Sequence, residues 1–319
     1  MIGKILGIGT AMVLASSVAS AQVVGIGTTK GTAVDQMVAA IAKTVSSHSG
    51  IQMRSQAAGG SQRYIELVNA GQLEFGVANS MQTAMAVQGT GISEGRKYED
   101  LRMVGTLMAF RNGVVVRNDS DIKTAADLKG KRLPYDFKAA PLFSFFIDAV
   151  LANGGLTIDD AEKVPVAALA PSWELLKQGR IDAAITATGS GATAEMDSRT
   201  PSGIRFLNLE STGPGAEKSQ EILPRIYLVD MDPSSKLPGI RGPVSIFGYD
   251  FLLWAHKDVD NDIVKRVAKA LHDHAEELKA SAAMWRTYDP KQLGKDHGEN
   301  LAYHPGAIAF FKEAGIWNR

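Results

Sequence analysis

Apolar positions along the chain switch between helical and strand spacing, and segment 57–80 shows the switch most clearly. The pair Gly59-Gly60 precedes a stretch whose apolar residues share one helical face, and Gly71 supplies a left-handed stop. Ser61 is placed to cap that helix by accepting a hydrogen bond from a free backbone N–H. The Gly59-Gly60-Ser61 loop either contacts a ligand or serves only as this helix cap. The pattern predicts a glycine loop, a short helix and a buried strand that ends at Asn79-Ser80.

The same pattern returns 108 residues later in the chain. Aligned on the glycine, the hexapeptide NAGQLE at 69–74 matches KQGRID at 177–182. The second helix is predicted to open at Pro171-Ser172, and the strand after it ends at Thr188-Gly189. We therefore expect one βαβ-type segment in each of two similar lobes, with a ligand held where the strands end.

Strands that alternate with helices indicate parallel sheets, and in open α/β sheets ligands bind beyond the carboxyl ends of the strands. Two strands are predicted at 101–110 and 113–117, and the apolar strand at 245–255 is the predicted return between lobes. A long amphipathic helix is predicted over 261–278. The expected fold is α/β and two-lobed, with two mixed or parallel sheets and a cleft between the lobes. The lobes are predicted to comprise 22–115 with 248–319, and 116–247.

Residues 1–21 are predicted to be an export signal and not part of the fold. A short positive start precedes an apolar core at 5–18, and Ala19-Ser20-Ala21 is a small-residue cleavage site. We expect cleavage near Ala21. Because the chain contains no cysteine, its stability must come from core burial without disulfides.

Composition narrows the class of protein further. The 319 residues are 45% hydrophobic and 21% charged, which excludes wholesale disorder. The 34 basic residues balance the 34 acidic ones, and there is no basic tract, so no nucleic-acid partner is expected. Nothing in the sequence requires more than a monomer.

The glycine- and threonine-rich first loop is the first candidate site. Free N–H groups at a helix N-terminus favour an anion, and Thr28, Thr29 and Thr32 add hydroxyl groups. An ordinary βα turn is the alternative. Gly25, Gly27 and Gly31 resemble a dinucleotide fingerprint, but the next strand ends without an acidic residue, so no nucleotide cofactor is predicted.

The remaining chemistry argues against an enzyme. No Gly-x-Ser-x-Gly elbow, phosphate-binding Walker loop or HExxH motif is present. The histidines at 48, 256, 272, 274, 297 and 304 form no metal pattern, so no metal is predicted. Lys30 and Lys138 lie in or beside predicted loops; Lys138 is the preferred partner for an anion, and a solvated surface charge is the alternative.

Together, these features resemble the TAXI class of substrate-binding proteins of TRAP transporters. The resemblance rests on the export signal, the glycine- and threonine-rich first loop and the Gly59-Gly60-Ser61 loop. It also rests on YEDLRMVGTL at 98–107 and DIKTAADLKGKRL at 121–133. It implies a two-lobed, type II periplasmic receptor for a small organic acid or amino acid. The implied partners are TRAP membrane subunits driven by an ion gradient. A periplasmic sensor that presents a solute to a membrane histidine kinase is the alternative.

The resemblance also assigns contacts by position, and one part of the chain departs from the family pattern. After the 121–133 segment the family has a loop rich in Gly, Ser and Thr, whereas this chain has YDFKAA at 135–140. A carboxylate meeting Lys138, with Tyr135 against an apolar portion, is our hypothesis for the replacement. The predicted ligand-binding residues are Thr28, Thr29, Lys30, Thr32, Gly59, Gly60, Ser61, Asn79, Ser80, Tyr135, Lys138, Thr188 and Gly189.

Overall fold

A computed structural model describes residues 22–29, 33–58, 61–298 and 301–317 of the chain. The predicted signal segment and the candidate residues Lys30, Thr32, Gly59 and Gly60 lie outside the described residues. The strands are β1 (Gln22–Thr28), β2 (Ile51–Ala57), β3 (Phe75–Asn79), β4 (Leu101–Arg117), β5 (Arg132–Tyr135), β6 (Glu162–Pro165), β7 (Ala183–Ala187), β8 (Ile204–Phe206), β9 (Tyr227–Met231) and β10 (Val244–His256). The helices are α1 (Ala33–His48), α2 (Ser61–Asn69), α3 (Ser80–Gln88), α4 (Leu142–Asn153), α5 (Leu169–Lys177), α6 (Gly191–Arg199), α7 (Pro214–Ile222), α8 (Asn261–Asp273), α9 (Ala275–Ser281) and α10 (Pro305–Glu313).

Eight strands form one mixed sheet, and two form a small parallel sheet. The main sheet has the order β2-β1-β3-β10-β4-β7, with β8 also paired to β4 and β9 also paired to β10. β1 runs parallel to β2 and β3, whereas β10 runs antiparallel to β3, β4 and β9. β5 and β6 pair in parallel as the second sheet. The predicted α/β fold with mixed and parallel sheets is confirmed.

Two long antiparallel strands, β4 and β10, connect the halves of the main sheet. β4 pairs with β10 from Leu101 to Asn112 and with β7 from Asn112 to Val116. The prediction of two separate strands at 101–110 and 113–117 was therefore wrong. Cross-strand partners on both sides of residues 111 and 112 keep the backbone extended through this polar pair. The division into lobes at 115/116 and 247/248 stays a prediction.

The internal repeat is present in the backbone. Helix α2 and strand β3 occupy 61–69 and 75–79, and α5 and β7 occupy 169–177 and 183–187, so every bound is displaced by 108 residues. Gly71 and Gly179 end the two helices with φ of 67° and 68°, the left-handed region in which glycine carries no Cβ penalty. The predicted helix, stop and strand are confirmed in both copies. The second helix, however, begins at Leu169, before the predicted Pro171-Ser172.

An acidic residue before each repeated strand hydrogen-bonds the strand beside it. Glu74 Oε2 accepts a hydrogen bond of 2.6 Å from the backbone N–H of Gly25 in β1. Asp182 Oδ2 accepts one of 2.8 Å from the backbone N–H of Arg132 in β5. The aligned acidic positions therefore have the same structural role in both copies, a role the alignment alone did not predict.

Asp182 makes the stronger of these two attachments, because the Arg132 guanidinium also donates to it at 2.6 and 3.1 Å. Burial acts to raise the pKa of Asp182, but the hydrogen bonds and charge of Arg132 outweigh burial and hold that pKa below its usual range. A lowered folded-state pKa stabilises the protein above the unfolded value of about 4, and this contribution is lost as pH falls toward the folded value.

Asp182→Asn is therefore expected to lower the free energy of unfolding at pH 7 by about 1–2 kcal/mol, because it removes a charge-assisted, part-exposed pair. The loss should shrink as pH falls below about 4, where the wild-type carboxylate also becomes protonated. Urea unfolding at pH 7 and at a pH below about 4 measures the free energy of unfolding of both proteins. Glu74→Gln is the matched variant, since Glu74 accepts from a backbone N–H, and its effect should be smaller. Equal stabilities of Asp182→Asn and the wild type at pH 7 would contradict this assignment.

The carboxyl-terminal helices of the chain pack against α1 and against each other. Helix α8 contacts both α1 and α10, and α9 contacts α1. The predicted helix over 261–278 is divided, because His274 leaves the helical region with φ of −110° and ψ of 32°. Among the described residues, no helix has the length and apolar character needed to cross a bilayer.

Candidate functional site

The carboxyl ends of the two repeated strands approach the same stretch of the β4–β10 pair from opposite directions. Asn79, the last residue of β3, pairs with Phe251, which in turn pairs with Met108. Ala187, the last residue of β7, pairs with Asn112. Residues 108 and 112 are four positions apart, about 13 Å of extended chain. We call this region, residues 108–112 and 247–251 with the residues that follow β3 and β7, the strand-end junction.

The described parts of the first two loops meet beneath the end of β3. Thr29 and Ser61 both lie within hydrogen-bonding reach of the buried Tyr64 hydroxyl, which donates to the Val77 carbonyl at 2.6 Å. Burial, the dominant effect, raises the pKa of Tyr64 and keeps it a neutral donor. Ser61 is the first residue of α2, and its hydroxyl donates to Gln82 Oε1 at 2.6 Å. The fold thus brings these two predicted loops together.

Thr28, Asn79 and Ser80 are held by contacts within the protein. The buried Thr28 hydroxyl donates to Asp35 Oδ1 at 3.0 Å. The Asn79 side chain caps α3 by accepting from the Gln82 N–H at 2.8 Å. Ser80 is 1% exposed; its hydroxyl donates to the Arg225 carbonyl and accepts from the Asp250 N–H, both at 3.3 Å. Ser80 thus links the first copy of the repeat to β10, whereas Thr28 and Asn79 make contacts close to them in the sequence.

The second copy reaches the junction through Thr188 and Gly189. The Thr188 N–H donates to the Arg111 carbonyl at 3.0 Å, which attaches the end of β7 to the middle of β4. Gly189 has a φ of 68°. Ser190 then caps α6 by accepting from the Thr193 N–H at 3.2 Å, as Asn79 caps α3. The two strand ends thus lead into side-chain-capped helices on either side of Arg111.

Tyr135 lies away from this set. Its hydroxyl hydrogen-bonds both carboxylate oxygens of Asp148 at 3.0 and 2.9 Å. Both residues line a cavity of about 850 Å³ bounded by α3, α4 and α7, and Tyr135 is the single predicted site residue on it. Burial raises the pKa of Asp148 in spite of the Tyr135 hydrogen bond. Lys138 is exposed and forms no ion pair with any described residue.

Four residues that the sequence did not indicate complete the junction. Arg111 pairs with Gly248, which pairs with Tyr227 on the other side, so the three share one face of the sheet. Asp250 is 5% exposed and accepts from Lys295 Nζ at 2.6 Å and from the Tyr227 hydroxyl at 3.1 Å. Lys295 Nζ also lies 5.3 Å from the centre of the Tyr227 ring. The one local signal is the polar pair at 111–112, which interrupts an otherwise apolar segment.

Arg111 is the exposed cation of this group. Its side chain forms no ion pair with any residue in the described parts of the chain. The Tyr227 ring covers the sheet surface over Gly248 beside it, since a Cβ at Gly248 would lie 2.4 Å from Tyr227 Cε2. Burial and the Asp250 charge raise the pKa of Tyr227, and the Arg111 charge acts against them. The junction therefore presents a guanidinium, a neutral phenol and capped helix N-termini, an arrangement suited to a small anion.

Comparisons with known proteins place this geometry in context. The sequence model described as the NMT1-like family matches residues 25–315. The chain is similar in structure to a TctC solute-binding protein from Polaromonas, with a TM-score of 0.55 and 16% identity over 85% of this chain and 91% of that one. It is similar to the periplasmic sulfonate-binding protein SsuA from Methylobacillus flagellatus, with a TM-score of 0.53 and 15% identity over 93% of this chain and 88% of that one.

A third structure, the periplasmic aliphatic sulphonate-binding protein SsuA from Escherichia coli, gives a TM-score of 0.50 and 17% identity. It covers 83% of this chain and 78% of that one. At these identities the likeness shows a shared fold. The TAXI subtype indicated by the sequence stays a prediction.

Proposed function

The chain belongs to the NMT1-like family, and we propose that it is a periplasmic receptor that binds a small organic anion at the strand-end junction. The observation that carries this proposal is the convergence of both repeated strand ends on Arg111, an exposed cation with no described ion-pair partner. Arginine presents a planar set of donors that fits a carboxylate or sulfonate through two parallel hydrogen bonds. Two of the similar structures are named as sulfonate-binding proteins, which supports an anionic ligand.

In this proposal the ligand closes the protein by contacting both lobes. We assign 22–115 with 248–319 to one lobe and 116–247 to the other, so the first two loops and Thr188 face each other across β4 and β10. Only a ligand with higher affinity for the closed form shifts an open–closed equilibrium. Contacts of the ligand to Ser61 in one lobe and to Thr188 and Lys138 in the other would give the closed form this higher affinity.

The implied partners are membrane subunits that accept the solute. We propose TRAP-type subunits driven by an ion gradient, and the support for this choice is the sequence resemblance. Uptake into proteoliposomes containing the receptor and its membrane subunits distinguishes the driving force. Transport that follows an imposed ion gradient supports TRAP-type partners, and transport that requires ATP would contradict them.

Arg111→Met is expected to weaken ligand binding by about 10- to 100-fold, because a charge-assisted hydrogen bond contributes roughly 1.5–3 kcal/mol. A thermal-shift screen of organic acids, sulfonates and amino acids first identifies the ligand, since a ligand that binds the folded form raises Tm. Calorimetry then gives Kd for both proteins.

Arg117→Met is the matched control for this experiment. Arg117 is the exposed last residue of the same strand, and its Nε lies 3.8 Å from Asp119, away from the junction. This variant should bind as the wild type does. Unchanged affinity in Arg111→Met would remove Arg111 from the site, and equal losses in both variants would indicate a non-specific charge effect. Lys138→Met tests the second proposed cation in the same assay.

A further inference from the structure

Two histidines and a glutamate that are remote in sequence form a compact surface cluster. His48 ends α1, His274 lies between α8 and α9, and Glu277 is in α9. His48 Nε2 lies 2.8 Å from Glu277 Oε2, and the two imidazole rings stack with centres 3.5 Å apart and planes 11° apart. One ligand atom from each residue lies within 4.8 Å of the other two. Within the described residues, this is the one set of three or more such groups.

We propose that His48, His274 and Glu277 bind a divalent transition metal of the Zn²⁺ class. Two imidazoles and a carboxylate are the donor set of many three-ligand zinc sites, in which water completes the coordination. Imidazole favours Zn²⁺, Ni²⁺ and Cu²⁺ over Mg²⁺ and Ca²⁺, which prefer oxygen ligands. The site is independent of the proposed anion site at the strand-end junction.

The backbone beneath the cluster is held by the core. Val45 in α1 and Leu278 in α9 are both fully buried, and the two helices contact each other. His274 directly precedes α9, and the Glu277 N–H donates to its carbonyl at 3.1 Å, which holds the turn that carries both residues. The backbone positions of the three residues are therefore fixed before any metal arrives.

The local chemistry also favours binding. The side chains of His48 and Glu277 are 31% and 34% exposed, so an ion can reach this pair from solvent. Lys43 Nζ lies 3.6 Å from Glu277 Oε1 and would compete with the metal for that oxygen. In parallel stacked rings the nitrogen lone pairs point in parallel directions and do not converge on one ion. To bind the same metal, one imidazole must therefore rotate about its side-chain torsions, which is a small change at the surface.

His272 and Asp273 provide a built-in comparison on the adjacent helix. His272 Nδ1 lies 2.8 Å from Asp273 Oδ1, the same distance as in the His48–Glu277 pair. No second imidazole accompanies this pair. An ordinary histidine–carboxylate ion pair therefore accounts for His272, but it does not account for the His274 ring, which stacks on His48 beside Glu277.

The test measures Zn²⁺ binding to the tag-free full chain at pH 7.5 by calorimetry and thermal shift. Zn²⁺ is expected to bind in the micromolar range and to raise Tm by a few degrees, and Mg²⁺ should do neither. His48→Ala and His274→Ala should each weaken Zn²⁺ binding by at least about tenfold.

Matched variants decide the outcome. His272→Ala should bind Zn²⁺ as the wild type does, and Lys43→Gln should bind it as tightly or more tightly. Metal-free Tm values of all variants show whether each one folds, and the metal-dependent change in Tm is compared within each variant. The proposal is overturned if His48→Ala and His274→Ala keep the wild-type affinity. It is also overturned if the wild-type Kd is weaker than about 1 mM, the range of weak surface binding.

Discussion

Lys295→Met is expected to lower the free energy of unfolding by about 2–3 kcal/mol. Asp250 is buried in the middle of β10, and its carboxylate depends on Lys295 at 2.6 Å and the Tyr227 hydroxyl at 3.1 Å. Removing one partner of a buried ion pair costs roughly 3–5 kcal/mol, because the remaining charge is left without compensation. The Lys295 side chain is 37% exposed, so water offsets part of this loss. Urea unfolding at pH 7 measures the change.

The double variant Lys295→Met/Asp250→Asn separates charge from packing. If the cost comes from an uncompensated carboxylate, the neutral amide restores stability, and the double variant should be more stable than Lys295→Met alone. A Lys295→Met protein as stable as the wild type would show that the pair contributes nothing. A double variant that is no better than the single one would assign the loss to packing against the Tyr227 ring.

Trp254→Ala is expected to destabilise the protein by about 3–5 kcal/mol, the usual cost of truncating a buried aromatic residue to alanine. Trp254 is fully buried in β10, with its ring centre 6.1 Å from that of Tyr64. Gly76, its pairing partner in β3, has no side chain, and a Cβ there would lie 2.4 Å from the indole. The indole therefore fills the space that the glycine leaves. Chemical denaturation of the purified variant gives the value.

Trp254→Phe is the matched control. The Trp254 Nε1 is buried and has no hydrogen-bond partner among the described residues, so phenylalanine removes an unsatisfied donor along with part of the ring. Its cost should be smaller than that of Trp254→Ala, because phenylalanine leaves a smaller cavity than alanine does. If Trp254→Ala cost less than this control, ring packing would not be the main contribution of Trp254.

Both predictions concern β10, a strand whose partners come from several parts of the chain. Its apolar run was predicted from the sequence, with bounds one residue from the observed ones at each end, and the contacts of Asp250 and Trp254 were not. Asp250 reaches Lys295, 45 residues away, and Tyr227, 23 residues away. The local sequence pattern does not reveal such pairs, because it is the same whether an acidic residue in an apolar strand has a charged partner or is exposed to solvent.

The internal repeat, in contrast, was predictable from the local sequence. Gly71, Gly179 and the helical spacing before them are local signals, and they predicted both copies of helix, turn and strand. The approach of the two strand ends followed from the same signals through the rule that ligands bind beyond strand ends. Even there, the side chains of Thr28, Asn79 and Ser80 proved to be engaged within the protein. Residue type alone could not distinguish a capping side chain from one that faces a ligand.

By itself, the sequence determined the α/β class and the repeated segments, since these follow from apolar periodicity and glycine conformation over short stretches. The tertiary structure alone decided that β4 is continuous, that Arg111 is the exposed cation at the junction and that Lys295 neutralises Asp250. It also brought His48 to Glu277, 229 residues away in the sequence. Contacts of this kind depend on how sheets and helices pack, and packing is set by the summed burial of many distant residues rather than by any local pattern.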